Sequence, residues 1–200
     1  MAIQLFYIRS GLAVDVLDLE RRIVYFENAG RVNTERTLRL AVERAQELGI
    51  KNMVVASTHG YTAGKVLEIL SGTNLGLVVV GISRESFSKD ALRALEDREF
   101  PLLFSDEVEY THPQLMKNAF RKLSEGVKVC MDICMIAAEG GVIPEGDEVV
   151  AVAGTGQSGF ELGGGADTAL VMIPRKSREF NTLPGKEKRR DLKEIICKPR

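Results

Sequence analysis

The sequence predicts an α/β fold in which short, mostly parallel strands alternate with crossover helices. From Ile23 onward, β-branched apolar runs alternate with segments of helical periodicity, and this alternation is typical of parallel strands joined by helices. The run LGLVVVGI (75–82) is apolar throughout, as expected of a strand covered on both faces. The length of 200 residues and 44% hydrophobic content favour one domain over residues 23–200, with residues 1–22 as an N-terminal extension.

The first half of the domain contains three strands and two helices. The strands are IVYF (23–26), NMVVAS (52–57) and LGLVVVGI (75–82). Between them, the segment 34–48 carries its apolar residues on one stripe, which predicts an amphipathic helix that ends at Gly49. The segment 62–70 repeats this spacing and predicts the second helix.

The second half continues the alternation. It comprises a helix over 89–97, a strand PLLF (101–104), a helix that begins at THPQ (111–114), a buried helix through 127–141, and strands at 148–154, 168–174 and 192–197. We expect the last strand, LKEIIC, to lie at an edge of the sheet. An exposed edge strand needs a cover, so homo-oligomers are expected.

Composition and charge restrict the class of partner. Lys plus Arg number 27 against 28 Asp plus Glu, a net charge of -1, which argues against binding to nucleic acid or to an anionic membrane. No apolar stretch reaches the ~18 residues of a membrane span, and Arg9 and Asp15 interrupt the N-terminus, so we expect a cytoplasmic protein. Cys130 and Cys134 have no neighbouring histidine, which predicts reduced, buried thiols and no metal.

The segment STHGYT (57–62) is typical of a phosphate-binding turn between a strand and a helix. The first amides of a helix lack internal partners and carry about half a positive charge, so an anion finds donors there. Ser57, Thr58 and Thr62 would add hydroxyl groups, and Gly60 would allow a close approach of the backbone. His59 would donate a hydrogen bond or add charge. The alternative is an ordinary turn in which Thr62 only caps the helix.

Two further loops belong to the same edge of the predicted sheet. SRESFSKD (83–90) follows the third strand and favours a capping turn over a second ligand contact. NAGRVNTE (28–35) follows the first strand, with Asn33 or Thr34 as the helix N-cap. If the strands are parallel, these loops lie at their carboxyl ends, where ligands of open α/β sheets bind.

Other motifs carry weaker signals. GTGQSG (154–159) matches G-x-G-x-x-G but opens no helix, so a flap over the pocket is favoured over a dinucleotide site. Lys128 and Asp132 lie one helical turn apart and predict a buried ion pair, with contact to a ligand as the alternative. His59 and His112 are the only histidines, and no nucleophile with a base is recognisable.

Several segments resemble, in order, a known family. STHGYTA is similar to the T-x-S-G-x-T-A phosphate loop of the pyruvate kinase C-terminal domain, and EGDEVVAVAGTGQSG resembles that domain's G-D-x-V-V-V-x-x-G strand and glycine-rich turn. From about Ile23 to Pro199 the chain resembles a stand-alone family of pyruvate kinase C-terminal-like proteins of unknown function. The stretches that carry the match are VYFENAGRVNTERTLRLAVERAQELGI, VVASTHGYTA, GVKVCMDICMIAAEGGVIP, GGADTALVMIP and LKEIICKPR.

The resemblance implies a Rossmann-like, three-layer α/β/α fold without pyruvate kinase activity. It implies a ligand with a phosphate group, flavin mononucleotide (FMN) as the first candidate, held without a metal. The residues that carry over as phosphate contacts are Ser57, Thr58, Gly60 and Thr62, with His59 in the same loop. Neighbouring and opposite-wall residues are Asn33, Thr34, Gly163, Gly164, Gly165, Asp167 and Thr168.

Two departures from the family pattern bear on function. His59 and Tyr61 replace a serine and an arginine of the kinase loop, and only SDEVEY (105–110) stands where stand-alone relatives have a longer segment. Three functions therefore remain open. A small-molecule-binding protein is favoured over a structural or regulatory oligomer with a vestigial pocket, and over a flavin- or phosphometabolite-dependent enzyme that uses His59 as its acid or base.

Overall fold

The computed structural model describes residues 20–144, 146–156, 164–182 and 191–200, and seven strands within them form one sheet. The strands are β1 (Val24–Phe26), β2 (Asn52–Ala56), β3 (Gly76–Gly81), β4 (Leu102–Phe104), β5 (Val149–Ala153), β6 (Thr168–Met172) and β7 (Leu192–Pro199). The helices are α1 (Thr34–Leu48), α2 (Tyr61–Ile69), α3 (Lys89–Glu96), α4 (Gln114–Arg121), α5 (Glu125–Glu139) and the single turn α6 (Ser177–Phe180). A 3₁₀ turn, Arg31–Asn33, leads into α1.

The sheet is mostly parallel, as the sequence predicts. Its strand order is β1-β7-β6-β5-β2-β3-β4, and only β6 runs against its neighbours. The prediction that LKEIIC lies at an edge is wrong, because β7 pairs with β1 on one side and β6 on the other. β1 and β4 are the two edges instead, so the predicted reason for an oligomer no longer holds at β7.

The loops that follow the parallel strands lie along one side of the sheet. β2 is parallel to both β3 and β5, which brings Ser57, Ile82 and Gly154 to the carboxyl ends of adjacent strands. β6 is antiparallel to β5, so Thr168 at its start faces Ala153 at the end of β5. β1 runs in the same direction as β5, so the loop after β1 reaches this side as well.

Helices cover both faces of the sheet, which confirms the three-layer α/β/α architecture. One apolar core contains the inward faces of α1, α2 and α3, with Leu38, Val66 and Leu95 buried against Val55 and Val79. The other core contains α5, whose buried residues pack on the opposite face of β2, β3, β5 and β6. A sheet whose strands have apolar residues on both faces needs two such layers to exclude water.

The three cysteines are free and buried, as predicted. Cys130 and Cys134 lie on the sheet-facing side of α5, and burial raises the pKa of both thiols well above its usual range. Burial also raises the pKa of Cys197 in β7 to about 12. A thiol whose pKa is raised in this way is a poor nucleophile, so these side chains serve as small apolar residues.

The helix ends follow local sequence rules. Gly49 takes the left-handed conformation, with φ of 67°, at the predicted end of α1. Ser88 and Ser124 accept hydrogen bonds from the third amides of α3 and α5, which confirms a capping role for the SRESFSKD turn. Among the described helices, none combines the length and the apolar character that crossing a membrane requires.

Candidate functional site

A cleft of about 790 Å³ opens at the carboxyl side of the sheet. Its size lies within the range of about 300–1,000 Å³ that is usual for small-molecule sites. One wall is the turn between β2 and α2, the opposite wall is the first half of α5, and glycines on either side of residues 157–163 contribute a third side. The lining residues are Ala56, Ser57, Thr58, His59, Thr62, Val80, Gly81, Ile82, Ser105, Tyr110, Glu125, Lys128, Val129, Asp132, Ile133, Ile136, Gly154, Thr155, Gly156, Gly164 and Gly165.

The first turn of α2 is partly capped by the chain and partly open. The Ser57 hydroxyl accepts a hydrogen bond of 3.2 Å from the Ala63 amide. Within the described residues, the amides of Gly60, Tyr61 and Thr62 donate to no acceptor. Three donors without a described acceptor therefore lie at the positive end of α2, where unpaired amides attract an anion. Of the three residues, Thr62 lines the cleft, whereas Gly60 and Tyr61 do not.

Gly60 is required for close packing between two helices. Its φ of 95° lies in the left-handed region, and a Cβ at this position would lie 2.7 Å from the Ala91 Cβ atom of α3. The residue is buried and does not line the cleft. The position that a side chain would occupy at Gly60 is thus filled by α3, while the Gly60 amide belongs to the open end of α2.

His59 lines the cleft and is exposed to solvent. Its Nδ1 atom lies 3.2 Å from the Ser86 carbonyl oxygen, so a proton on Nδ1 donates to that oxygen and leaves Nε2 as an acceptor. In the described part of the chain no carboxylate contacts the His59 ring. The ring is therefore held by the backbone, without the acidic partner that commonly orients a catalytic histidine.

Asn33 and Thr34 organise the loop after β1 and do not line the cleft. The Nδ2 atom of the Asn33 side chain donates to the Asn28 carbonyl at 2.5 Å. The buried Thr34 hydroxyl donates to the Arg31 carbonyl at 2.8 Å and accepts from the Ala166 amide at 3.0 Å. Both side chains already have partners in the protein, so their predicted proximity to a ligand stays a prediction.

Asp167 joins three loops through one buried carboxyl group. Its Oδ2 atom accepts hydrogen bonds from the Gly30 amide at 2.7 Å and from the Thr155 hydroxyl and amide at 2.7 and 3.3 Å. Its Oδ1 atom accepts from the Thr168 hydroxyl at 2.9 Å. Both Asp167 and Thr168 have no exposed surface. These predicted wall residues lie behind the cleft, where they fix the segments that line it.

Gly164 and Gly165 line the cleft with backbone in the left-handed region, at φ values of 96° and 105°. A Cβ at Gly165 would lie 2.6 Å from the Arg31 Cα atom, so only glycine allows the two loops to approach so closely. Gly163, also predicted for this wall, lies outside the described residues. The conformation of the two glycines thus shapes the third side of the cleft.

Charged residues on α5 form the opposite wall. Lys128 Nζ lies 3.0 Å from Asp132 Oδ2 and 3.3 Å from Glu125 Oε1, which confirms the predicted ion pair and adds a second carboxylate. All three side chains line the cleft. His112 contacts Asp132 from the other side, with Nδ1 at 2.5 Å from Oδ1. We call Glu125, Lys128, Asp132 and His112 the α5 cluster.

Sequence reasoning missed His112 as a member of this cluster. Its side chain has no exposed surface and packs against the rings of Phe120 and Phe180. Its Nε2 atom is buried and has no hydrogen-bond partner within the described residues. The only sequence signal was a histidine beside the start of α4, and it does not indicate a partner twenty residues away on α5.

The ionisation of the α5 cluster follows from its contacts. Burial raises the pKa of Asp132, but hydrogen bonds from His112 and Lys128 outweigh this effect and hold the pKa below its ordinary value. Burial likewise raises the pKa of Glu125, and Arg121 and Lys128 lower it further than burial raises it. Burial and the Asp132 charge raise the pKa of Tyr110, so its phenol stays protonated. The carboxylates of Asp132 and Glu125 therefore carry charge at neutral pH.

The fold and the cleft define a class of protein: an α/β/α domain with an open cleft at the carboxyl side of a mostly parallel sheet. The chain belongs to the pyruvate kinase, alpha/beta domain family, whose model matches residues 35–172. This match covers more than half of the chain and confirms the family resemblance deduced from the STHGYTA and EGDEVVAVAG segments.

Solved structures that match the chain include pyruvate kinases from Cryptosporidium parvum. One shares 15% identity, covers 70% of this chain and 22% of the kinase, and has a TM-score of 0.42. Another, in complex with ADP, shares 20% identity, covers 70% of this chain and 23% of the kinase, and has a TM-score of 0.39. The chain thus spans less than a quarter of the length of these kinases.

Proposed function

We propose that the protein binds a small molecule with a phosphate group, and that the phosphate occupies the open end of α2. The observation that carries the proposal is the set of three amides, at Gly60, Tyr61 and Thr62, that have no acceptor among the described residues and lie at the end of α2, where Thr62 lines a cleft of ligand size. A dianionic phosphate is the ligand that such donors favour most, since the helix dipole adds to their hydrogen bonds.

The side chains of the same wall support a phosphate over other anions. Ser57, Thr58 and Thr62 line the cleft with hydroxyl groups, and the segment STHGYT contains no acidic residue. The Ser57 oxygen already accepts from Ala63, which leaves its own proton for a ligand oxygen. A phosphate has several acceptor oxygens in different directions, so it can use amides and hydroxyls together.

The rest of the cleft is suited to an apolar or aromatic group. Val80 and Ile82 at the end of β3, together with Val129, Ile133 and Ile136 on α5, form much of its remaining lining. A pocket that is mainly apolar, with a few polar groups at fixed positions, is typical of cofactor sites. FMN combines a phosphate with a flat aromatic ring and is our first candidate. Pyruvate kinase activity is not part of the proposal, since the chain matches only the alpha/beta domain of that enzyme.

Direct binding measurements test this proposal. Mass spectrometry and an absorbance scan of the purified protein would identify a co-purified phosphate ester. In calorimetric titrations with FMN, Thr62→Val and Thr58→Val should each raise the dissociation constant about ten- to a hundredfold, because one hydrogen bond to a charged group is lost.

The matched control is Thr73→Val. Thr73 follows the far end of α2, where its hydroxyl donates to the Leu70 carbonyl, and it does not line the cleft. This variant should bind FMN as the original protein does. The proposal is wrong if no phosphate compound binds at millimolar concentration, or if Thr62→Val and Thr58→Val behave as the control. Absence of any ligand would favour the regulatory module with a vestigial pocket.

A further inference from the structure

The α5 wall of the cleft holds its one cation between two carboxylates. Lys128 contacts both Glu125 and Asp132, and the Lys128 side chain is only 14% exposed. Arg121 contacts Glu125 at 2.7 Å but does not line the cleft. Among the described lining residues, no Lys or Arg is therefore free of a carboxylate partner. The segment QSGFELG (157–163), which separates two lining glycines, contains no Lys or Arg in its sequence.

The same wall retains unused acceptor capacity. An ionised carboxylate offers about four acceptor sites, whereas Asp132 uses Oδ1 for His112 and Oδ2 for Lys128. Glu125 likewise accepts from Arg121 and Lys128. A ligand group that donates hydrogen bonds would find acceptors here, and a group with negative charge would meet two carboxylates.

His112 fixes this arrangement. Its ring packs against Phe120 and Phe180 and contacts Oδ1 of Asp132, whereas Lys128 contacts Oδ2. The Asp132 carboxylate is therefore tied at both oxygens and cannot turn away from the cleft without breaking a buried hydrogen bond. Such a loss is costly, because it leaves a buried polar group unpaired.

We infer that the cleft selects ligands with a single anionic end: the phosphate binds at α2, and the distal group that reaches Asp132 and Glu125 is a neutral or cationic hydrogen-bond donor. A ligand with a second phosphate at that end is rejected. The inference rests on the proposed function, because it assumes that the first phosphate occupies the α2 end.

The physical basis is repulsion within a partly enclosed site. A second phosphate next to Glu125 and Asp132 would face two like charges. Lys128, the one Lys or Arg among the described lining residues, is already compensated by both carboxylates, and Arg121 pairs with Glu125 without lining the cleft. Like charges in contact disfavour a wrong ligand more strongly in a cleft than at an open surface, where water and salt screen them. Discrimination of about thirtyfold is expected from one such charge at about 4 Å with an effective dielectric constant of about 40.

Three synthetic ligands that share a butyl chain test the inference by calorimetry. Hydroxybutyl phosphate, aminobutyl phosphate and butanediol bisphosphate differ only in the distal group. The original protein should bind aminobutyl phosphate most tightly and butanediol bisphosphate least tightly. In both Glu125→Gln and Asp132→Asn, bisphosphate affinity should rise about thirtyfold and aminobutyl phosphate affinity should fall, while hydroxybutyl phosphate changes little.

Glu43→Gln is the control for removal of a carboxylate, because Glu43 is exposed on α1 and does not line the cleft. It should leave all three affinities unchanged. If Asp132→Asn is unstable, Glu125→Gln alone decides the question. The inference is overturned if the original protein binds the bisphosphate as tightly as hydroxybutyl phosphate, or if Glu125→Gln keeps the original ratio. If no compound binds, the proposed function fails as well, which is a different result.

Discussion

Two buried aspartates on the carboxyl side of the sheet differ in the partners that surround them. Within the described residues, Asp167 accepts its hydrogen bonds from neutral groups, in three separate segments of the chain. Asp132 accepts from Lys128 and from a histidine, and it lines the cleft. The first carboxyl group connects loops, whereas the second presents charge to the cleft. The difference teaches that burial alone does not separate a structural carboxylate from one that faces a cleft, because the partners of its oxygens decide which it is.

The largest expected effect would come from Asp167→Ala. The substitution leaves the Gly30 and Thr155 amides and two threonine hydroxyls without their acceptor, and each unpaired buried group is costly. We expect a loss of about 3 kcal/mol in the free energy of unfolding, measured by urea denaturation.

Asp106→Ala is the control for this prediction. Asp106 is exposed in the loop after β4, and its side chain makes no hydrogen bond within the described residues. The free energy of unfolding of the Asp106→Ala variant should equal that of the original protein within error. A stable Asp167→Ala variant would show that the three loops hold together without the carboxyl group, and the contrast between the two aspartates would then disappear.

Asp132→Asn should destabilise the protein less, by about 2 kcal/mol at neutral pH, because Asp132 is partly open to the cleft. The effect should depend on pH. Since the pKa of Asp132 is lower in the folded state, its stabilisation is present above the unfolded value of about 3.9 and is lost as the pH falls through the folded value. The free energies of unfolding of the original protein and of Asp132→Asn should therefore approach each other as the pH falls. Urea denaturation of the two proteins between neutral pH and about pH 3 measures this change. A difference that stays constant at acid pH would contradict the role of the charge.

The smallest expected effect comes from removing single hydrogen-bond donors to the two oxygens of Asp167. Thr155→Val removes one of three donors to Oδ2, and we expect a loss of about 1 kcal/mol in unfolding free energy. Thr168→Val removes the described donor to Oδ1 and should cost more, because that oxygen is then buried without a partner. Equal losses in thermal denaturation would argue against this division between the oxygens.

The fold was predictable wherever a local pattern determines it. The stripe of apolar residues and Gly49 gave the bounds of α1 as observed, Thr34–Leu48. The apolar strands were also recognised, because burial on both faces leaves a continuous signal. The position of β7 was not predictable, since its pairing with β1 depends on the whole sheet and on no feature of its own sequence.

The candidate site was predictable to a similar extent. The open end of α2 follows from a strand, a turn and a helix in sequence, and Lys128 and Asp132 follow from helical spacing. The Asp167 bonds reach Thr155 twelve residues away and Gly30 137 residues away, a separation at which no spacing rule applies. The family resemblance led to the prediction that Thr34 and Asp167 belong to the ligand site. The structure instead gives their side chains partners within the protein.

The pairing of β1 with β7 has a consequence for the order of events during synthesis. Val24 pairs with Cys197, so the earlier strand leaves the ribosome long before its described neighbour in the sheet, β7, exists. Until β7 arrives, β6 also lacks one of its two partners. Completion of the sheet must then await the late strand, and contacts so distant along the chain form slowly. Nascent chains are thus exposed for longest at these two strands, where a chaperone would have most to protect.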